Sequence, residues 1–163
     1  MRSFIIGAVA VVVGIVGPAR ADEEKVALDK VPKAVMDAAK KRFPDAKFTD
    51  ASKEDENGKT TYELTFKDGG KNVDVTLTPE GVLTLIEKEV DAKDVPKAVS
   101  DGIDAKYPKA SWKMIEAVIK VKDGKEELDY YEYHGTTADK KGIEVEIAPD
   151  GKIKKTEEKK DDK

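Results

Sequence analysis

Two spacings of apolar residues alternate along the chain. Val31, Val35, Ala39 and Phe43 recur every four positions, and so do Val95, Val99, Ile103 and Tyr107. That spacing puts four side chains on one face of an amphipathic helix. Pro32 and Pro96 fall in the predicted first turn, where a missing amide hydrogen does no harm, and Pro44 and Pro108 predict where each helix stops. Gly102 should weaken the second helix by about 1 kcal/mol relative to Ala.

After each helix the period falls to two. Phe48 opens a first polar strand. Tyr62, Leu64 and Phe66 then alternate with Glu63 and Thr65, and Val73, Val75 and Leu77 with Asp74 and Thr76, before Val82 to Val90 returns. In the second half "SWKMIEAVIKVK" and "ELDYYEYH" come first, then Ile143, Val145 and Ile147 alternate with Glu144 and Glu146 ahead of Ile153. Alternation of this kind marks half-buried strands, and the intervening "ENGK", "DGG", "TPEG", "DG" and "APDG" stretches are turn chemistry.

The two halves are copies. "VPKAV" begins at Val31 and again at Val95, and the same offset of 64 residues matches Phe43-Pro44 with Tyr107-Pro108, Ala46 with Ala110 and Phe48 with Trp112. Agreement at so many positions without a gap means duplication. The predicted fold class is α+β: two tandem α-β-β-β-β repeats, each antiparallel sheet covered on one face by its helix. Whether the sheets join into one curved sheet is left open by the pattern. The other face of each sheet then meets solvent with Glu63, Thr65, Asp74 and Thr76 in the first copy and Glu144 and Glu146 in the second. Matching "YEL" at Tyr62 to "YEY" at Tyr131 sends Tyr131 and Tyr133 to the core and leaves Tyr130 and Glu132 outward.

The first 21 residues belong to another class of pattern. Arg2, an apolar and small-residue run from Phe4 to Val16, and Gly17-Pro18 ahead of Ala19-Arg20-Ala21 have the layout of a secretory signal peptide cleaved after Ala21. The run of about 13 residues is short against the roughly 20 needed to cross a bilayer, so no stable membrane insertion is expected after cleavage. The chain therefore divides into an export segment at 1–21, repeat one at 22–90, repeat two at 91–154 and a disordered charged tail at 155–163, and is expected in the periplasm or outside the cell. No cysteine is present to form a disulfide, so packing alone must hold an exported fold.

Charge narrows the partners. Leaving out Arg2 and Arg20 takes the 30 basic residues to 28 against 34 acidic, a net of about −6, and Arg42 is then the single arginine. Phosphate and base recognition relies on arginine forks and a positive field, so nucleic acid is excluded as an expected partner.

The doubled "VP-x-AV … (F/Y)P-x-A" helix, the polar-alternating strands and the "PEG" and "PDG" turns together resemble the PepSY-like family, whose members are similar in plan to the beta-lactamase inhibitor protein. The resemblance covers about Val26 to Ile153. It implies tandem helix-plus-four-strand units used to bind or inhibit another protein. The inhibitor's repeats carry disulfides and this chain has no cysteine, so inhibition of a beta-lactamase is not carried over.

Catalytic chemistry finds little support. His134 is the single histidine, no serine stands beside it in sequence, and Ser3, Ser52, Ser100 and Ser111 sit in no nucleophile motif. "KEDENGK" at Lys53 to Lys59 has the look of a calcium loop, but Lys53 and Leu64 stand where the loop needs acids, and a hairpin explains Asn57-Gly58. No cofactor and no metal ligand set is expected. The reading is an exported, non-catalytic module that binds a protein or peptide through Glu63, Thr65, Asp74, Thr76, Tyr130, Glu132, Glu144 and Glu146. The alternative is a calcium- or other cation-responsive envelope protein using the same acidic face.

Overall fold

A computed structural model describes residues 22–159. Nine strands and two helices follow in the order β1 (Asp22–Lys25), α1 (Lys33–Arg42), β2 (Asp50–Glu56), β3 (Lys59–Asp68), β4 (Lys71–Leu77), β5 (Leu83–Glu89), α2 (Lys97–Lys106), β6 (Ser111–Lys122), β7 (Lys125–Thr136), β8 (Gly142–Ile147) and β9 (Ile153–Lys159). They form one sheet in which each strand pairs antiparallel with its sequence neighbours, from β1 at one edge to β9 at the other. The α+β tandem plan stands, and the open question of the two sheets is answered by β5, which pairs with β6 through Leu85↔Lys120, Glu87↔Val118 and Glu89↔Glu116.

Each helix covers its own repeat. Val31, Val35 and Ala39 pack with Ala51, Leu64, Phe66, Val73, Val75, Leu77 and Ile86, and Val95, Val99 and Ile103 pack with Ile115, Ala117, Tyr131, Tyr133, Ile143, Val145 and Ile147. Phe43 and Tyr107, the fourth residues of the two stripes, are partly buried against these clusters. Val35 and Val99 have no exposed surface at all. Burial on this scale stabilises by roughly 1.5–3 kcal/mol per large aliphatic side chain. Pro32 and Pro96 sit at the cap position, one residue ahead of the predicted first turn. Phe48 lies before β2 rather than opening it and packs edge-on against Phe66.

Glycine lets each helix lie close on its sheet. Gly81 and Gly151, which end the "TPEG" and "APDG" turns, have φ of +84° and +85°, and a Cβ there would stand 2.5 Å from the carbonyl oxygen of Ala34 and 2.2 Å from that of Ala98. The two turns are thus wedged under equivalent positions of α1 and α2. Gly102 has the same cause: a Cβ on it would meet the Gly151 carbonyl oxygen at 2.4 Å. Its cost in helix propensity is offset by this close approach.

The two edges of the sheet also differ from the sequence reading. β1 adds a strand before α1, pairing Glu24 with Lys53 and Lys25 with Ser52. "DEEK" has no apolar alternation, so nothing in it signals a strand. At the other end β9 carries residues 155–159 in register with β8, with Thr156 opposite Val145 and Lys155 opposite Glu146. The predicted disordered tail is therefore strand as far as Lys159. An edge strand is held by its backbone ladder and gains from charged side chains that deter further pairing. Residues 160–163 of that tail and the export segment at 1–21 lie outside the described residues. Among the described residues no helix is long and apolar enough to cross a membrane.

Replacement of Val35 or Val99 by Asp places a charge in a site closed to solvent, and each variant should lose several kcal/mol of stability in urea denaturation. Gly151→Ala should lose more than Gly124→Ala, because Gly124 shares the positive φ but has nothing within 4 Å of the added methyl. Equal losses for the two glycine variants would show that the helix does not rest on the turn.

Candidate functional site on the helix-free face

Because side chains alternate across a strand, the residues between the core positions collect on the face that carries no helix. All eight predicted site residues are there and half-buried: Glu63 and Thr65 on β3, Asp74 and Thr76 on β4, Tyr130 and Glu132 on β7, Glu144 and Glu146 on β8. Tyr131 and Tyr133 point the other way, into the second core, with 7% and 4% of their surface exposed. Glu63 lies opposite Thr76, Thr65 opposite Asp74, Glu132 opposite Glu146 and His134 opposite Glu144.

The β5–β6 junction adds residues that sequence reasoning left out. Glu87 pairs in register with Asp74 on one side and Val118 on the other, and Val118 with Tyr130. In the next row Glu89, Glu116, Glu132 and Glu146 are successive cross-strand partners, ending at Lys155 on β9. Glu116 is only 7% exposed, and Val118, which belongs to neither core cluster, has no exposed surface. The side chains of the helix-free face therefore close over one another at its centre. Glu87 and Glu116 were missed because the pairing of β5 with β6 is not written in either repeat. His134 was seen as a strand histidine, and no local motif marks it as part of a cluster.

His134 is held at both ring nitrogens. Its Nδ1 lies 2.9 Å from Glu144 Oε1, and its Nε2 lies 2.9 Å from Glu116 Oε2 and 3.8 Å from Glu132 Oε2. The hydrogen bond to Glu116 and the surrounding carboxylates raise its pKa, against the opposing effect of burial. Burial raises that of Glu132. Glu87 is pushed up to about 8, first by burial and then by the negative charges of Glu63, Glu116, Glu132 and Asp74. Asp74 is raised by burial as well, although it accepts a hydrogen bond of 2.5 Å from the Thr65 hydroxyl. Tyr130 is also raised, by burial and by nearby Glu146 and Glu132, and Lys154 Nζ lies 4.6 Å from its ring centre.

The duplication gives these residues counterparts. In the alignment that matches Tyr62 with Tyr131 and Val73 with Ile143, Thr65 corresponds to His134 and Asp74 to Glu144. The Thr65–Asp74 hydrogen bond of the first copy is replaced by the His134–Glu144 contact of the second. Ser52 lies opposite Glu63 as Glu116 lies opposite Glu132, and these two are the buried polar side chains among the described residues. One scaffold thus carries hydroxyl groups in the first copy and a carboxylate–imidazole cluster in the second.

A continuous antiparallel sheet, backed by two helices and bare on an acidic face, defines a tandem helix-on-sheet protein. Each half of the chain is similar to a family model: residues 32–94 match the PepSY model, described as the peptidase propeptide and YPEB domain, and residues 84–155 match the model described as beta-lactamase-inhibitor-like, PepSY-like. Solved structures share the fold. A DUF2874 family protein from Bacteroides uniformis gives a TM-score of 0.63 at 18% identity, over 78% of this chain and 88% of that one. A protein from Bacteroides eggerthii described as periplasmic gives 0.64 at 16% identity over the same shares. A BLIP-like protein from Bacteroides fragilis gives 0.58 at 15% identity, over 92% of this chain and 94% of that one. At these identities the likeness is one of fold. No curated protein matches the chain.

The raised Glu87 carboxyl makes stability depend on pH. The folded state holds the proton from the ordinary value of 4.5 up to about 8, whereas the unfolded chain releases it at the lower end, so stability falls as pH rises through that window. His134, also raised, acts with the same sign. Glu87→Gln, which keeps shape and removes the charge, should gain on the order of 2 kcal/mol at pH 8 and much less at pH 5, read by urea denaturation across the range. An unchanged pH slope would place the crowding elsewhere.

Proposed function

We propose that the chain is an exported, non-catalytic module of the cell envelope, acting in the periplasm or outside the cell, that binds a protein or peptide partner on the helix-free face. The observation that carries this reading is the division of the sheet. One face is occupied by α1 and α2, and the other runs unbroken across β2 to β9 with carboxylates flanking a half-buried tyrosine. Even with Glu87 protonated near neutral pH, Glu63, Asp74, Glu116, Glu132, Glu144 and Glu146 outnumber the basic groups among them, so the partner segment that fits is a cationic one, rich in lysine or arginine. Tyr130 offers an aromatic anchor, and interfaces draw most of their energy from a few such anchors rather than from area. The periplasmic description of the Bacteroides eggerthii structure and the BLIP-like description of the Bacteroides fragilis structure support the compartment and the mode of action. The carboxylate–imidazole cluster favours a cation-responsive role as the second reading.

A pull-down from an exported-protein extract with the chain from Asp22 onward as bait should recover a partner whose retention weakens as salt rises. Charge reversal at Glu144 and Glu146, or Tyr130→Ala, should then reduce affinity about tenfold, 1–2 kcal/mol. Lys40→Glu and Lys106→Glu on the helices should leave it within about twofold. Loss of the partner in the helix variants alone would move the site to the helices.

A further inference from the structure

We propose that Glu116, Glu132 and His134 form a binding site for a divalent transition metal of the zinc class, with Glu144 as the residue that orients the imidazole. The three side chains bring one donor atom each to within 4.8 Å of one another, from adjacent positions of β6 and β7. Donors around a tetrahedral zinc stand about 3.4 Å apart at bond lengths near 2.1 Å, so modest side-chain rotations complete the set. Glu144 lies 2.9 Å from Nδ1 and leaves Nε2 facing Glu116 and Glu132. A carboxylate on the far nitrogen is the usual way in which a metal-binding imidazole is fixed in tautomer and direction.

The register of the sheet supplies a second, independent reason. Glu89, Glu116, Glu132 and Glu146 are direct cross-strand neighbours along one row. Like charges directly opposite destabilise a sheet, and Glu116 is among the most buried polar residues described. One imidazolium balances one of these charges, whereas a divalent ion would balance two. Calcium suits the cluster poorly, since it takes six to eight oxygen ligands and this set offers a nitrogen and few oxygens. The first repeat is an internal control. Its equivalent positions hold Ser52, Glu63 and Thr65 on the same backbone, a set without an imidazole. The metal site does not depend on a protein partner docking on the face.

The test uses the chain from Asp22 onward without an affinity tag, because His134 is then the single histidine. Titration with zinc alone should show one equivalent bound at micromolar concentration, and cobalt should give visible absorption bands of a nitrogen–oxygen site. His134→Ala and Glu132→Gln should weaken zinc binding at least about tenfold, Glu144→Gln by a smaller factor, and Glu63→Gln not at all. Zinc should also shift the ring nitrogen resonances of His134 in the unmodified chain, a readout that survives if a variant fails to fold. No shift and no binding below about 100 µM zinc would overturn the assignment, as would equal zinc affinity in His134→Ala or equal affinity for calcium.

Discussion

The pairing of β5 with β6 governs the rest of the molecule. Without it the chain would be two small units, each a four- or five-stranded sheet with one helix and two exposed edges. With it, Leu85 to Glu89 lie against Glu116 to Lys120 and both helices fall on one side of a single nine-stranded sheet. The junction lies where neither helix is centred, since α1 rests over β4 and α2 over β8. On the helix side this leaves an open cavity of about 490 Å³ lined by Phe43, Phe66, Val73, Ile86 and Ile119 and by the ion-paired Arg42 and Glu126. On the other side it brings the carboxylates of both repeats into common rows.

Those rows explain why the helix-free face is not an ordinary solvated surface. A scattered set of surface acids is screened by water and keeps ordinary proton affinity. Here Glu87 has Asp74 as its partner on β4 and feels Glu63, Glu116 and Glu132 through a neighbourhood that includes the fully buried Val118. Crowding and burial act in the same direction, and the proton is the smallest cation that relieves them. A lysine, an arginine or a metal ion would relieve them too, and the binding roles proposed for the face rest on that complementarity.

The two copies share a backbone and have parted in chemistry. In the first, Phe66 packs against Phe48, whereas the aligned Gly135 leaves room in the second for Trp112, whose ring would lie 2.7 Å from a Cβ on that glycine. Tyr133 stands where the first copy has Leu64, and packs edge-on against Trp112 at 5.2 Å. On the other face Ser52, Thr65, Asp74 and Thr76 have become Glu116, His134, Glu144 and Glu146. The core exchanges are coupled through contact, Trp112 filling the room left at Gly135, while the face of the second copy carries more charge, an imidazole and an extra aromatic at Tyr130.

The sequence by itself determined the helices, most of the strands, and the face to which the regularly alternating residues point, because the periods of four and two are local properties of single elements. Val35 and Val99 could be placed in the core from their helical spacing, Glu63, Asp74, Glu144 and Glu146 on the opposite face from alternation, and Tyr130 and Glu132 there by matching the second repeat to the first. The edge strands were not legible: "DEEK" and the lysine- and glutamate-rich residues 155–159 pair through their backbones and need no apolar side chain to do so. Tertiary structure decided that the two sheets are one, and with that which side chains meet. Glu87 and Glu116 stand 29 residues apart in the chain with α2 between them, and His134 finds Glu116 and Glu144 on two different neighbouring strands. Such meetings depend on strand order and register, which are set by how the whole sheet closes its core and not by any residue's own surroundings in the chain.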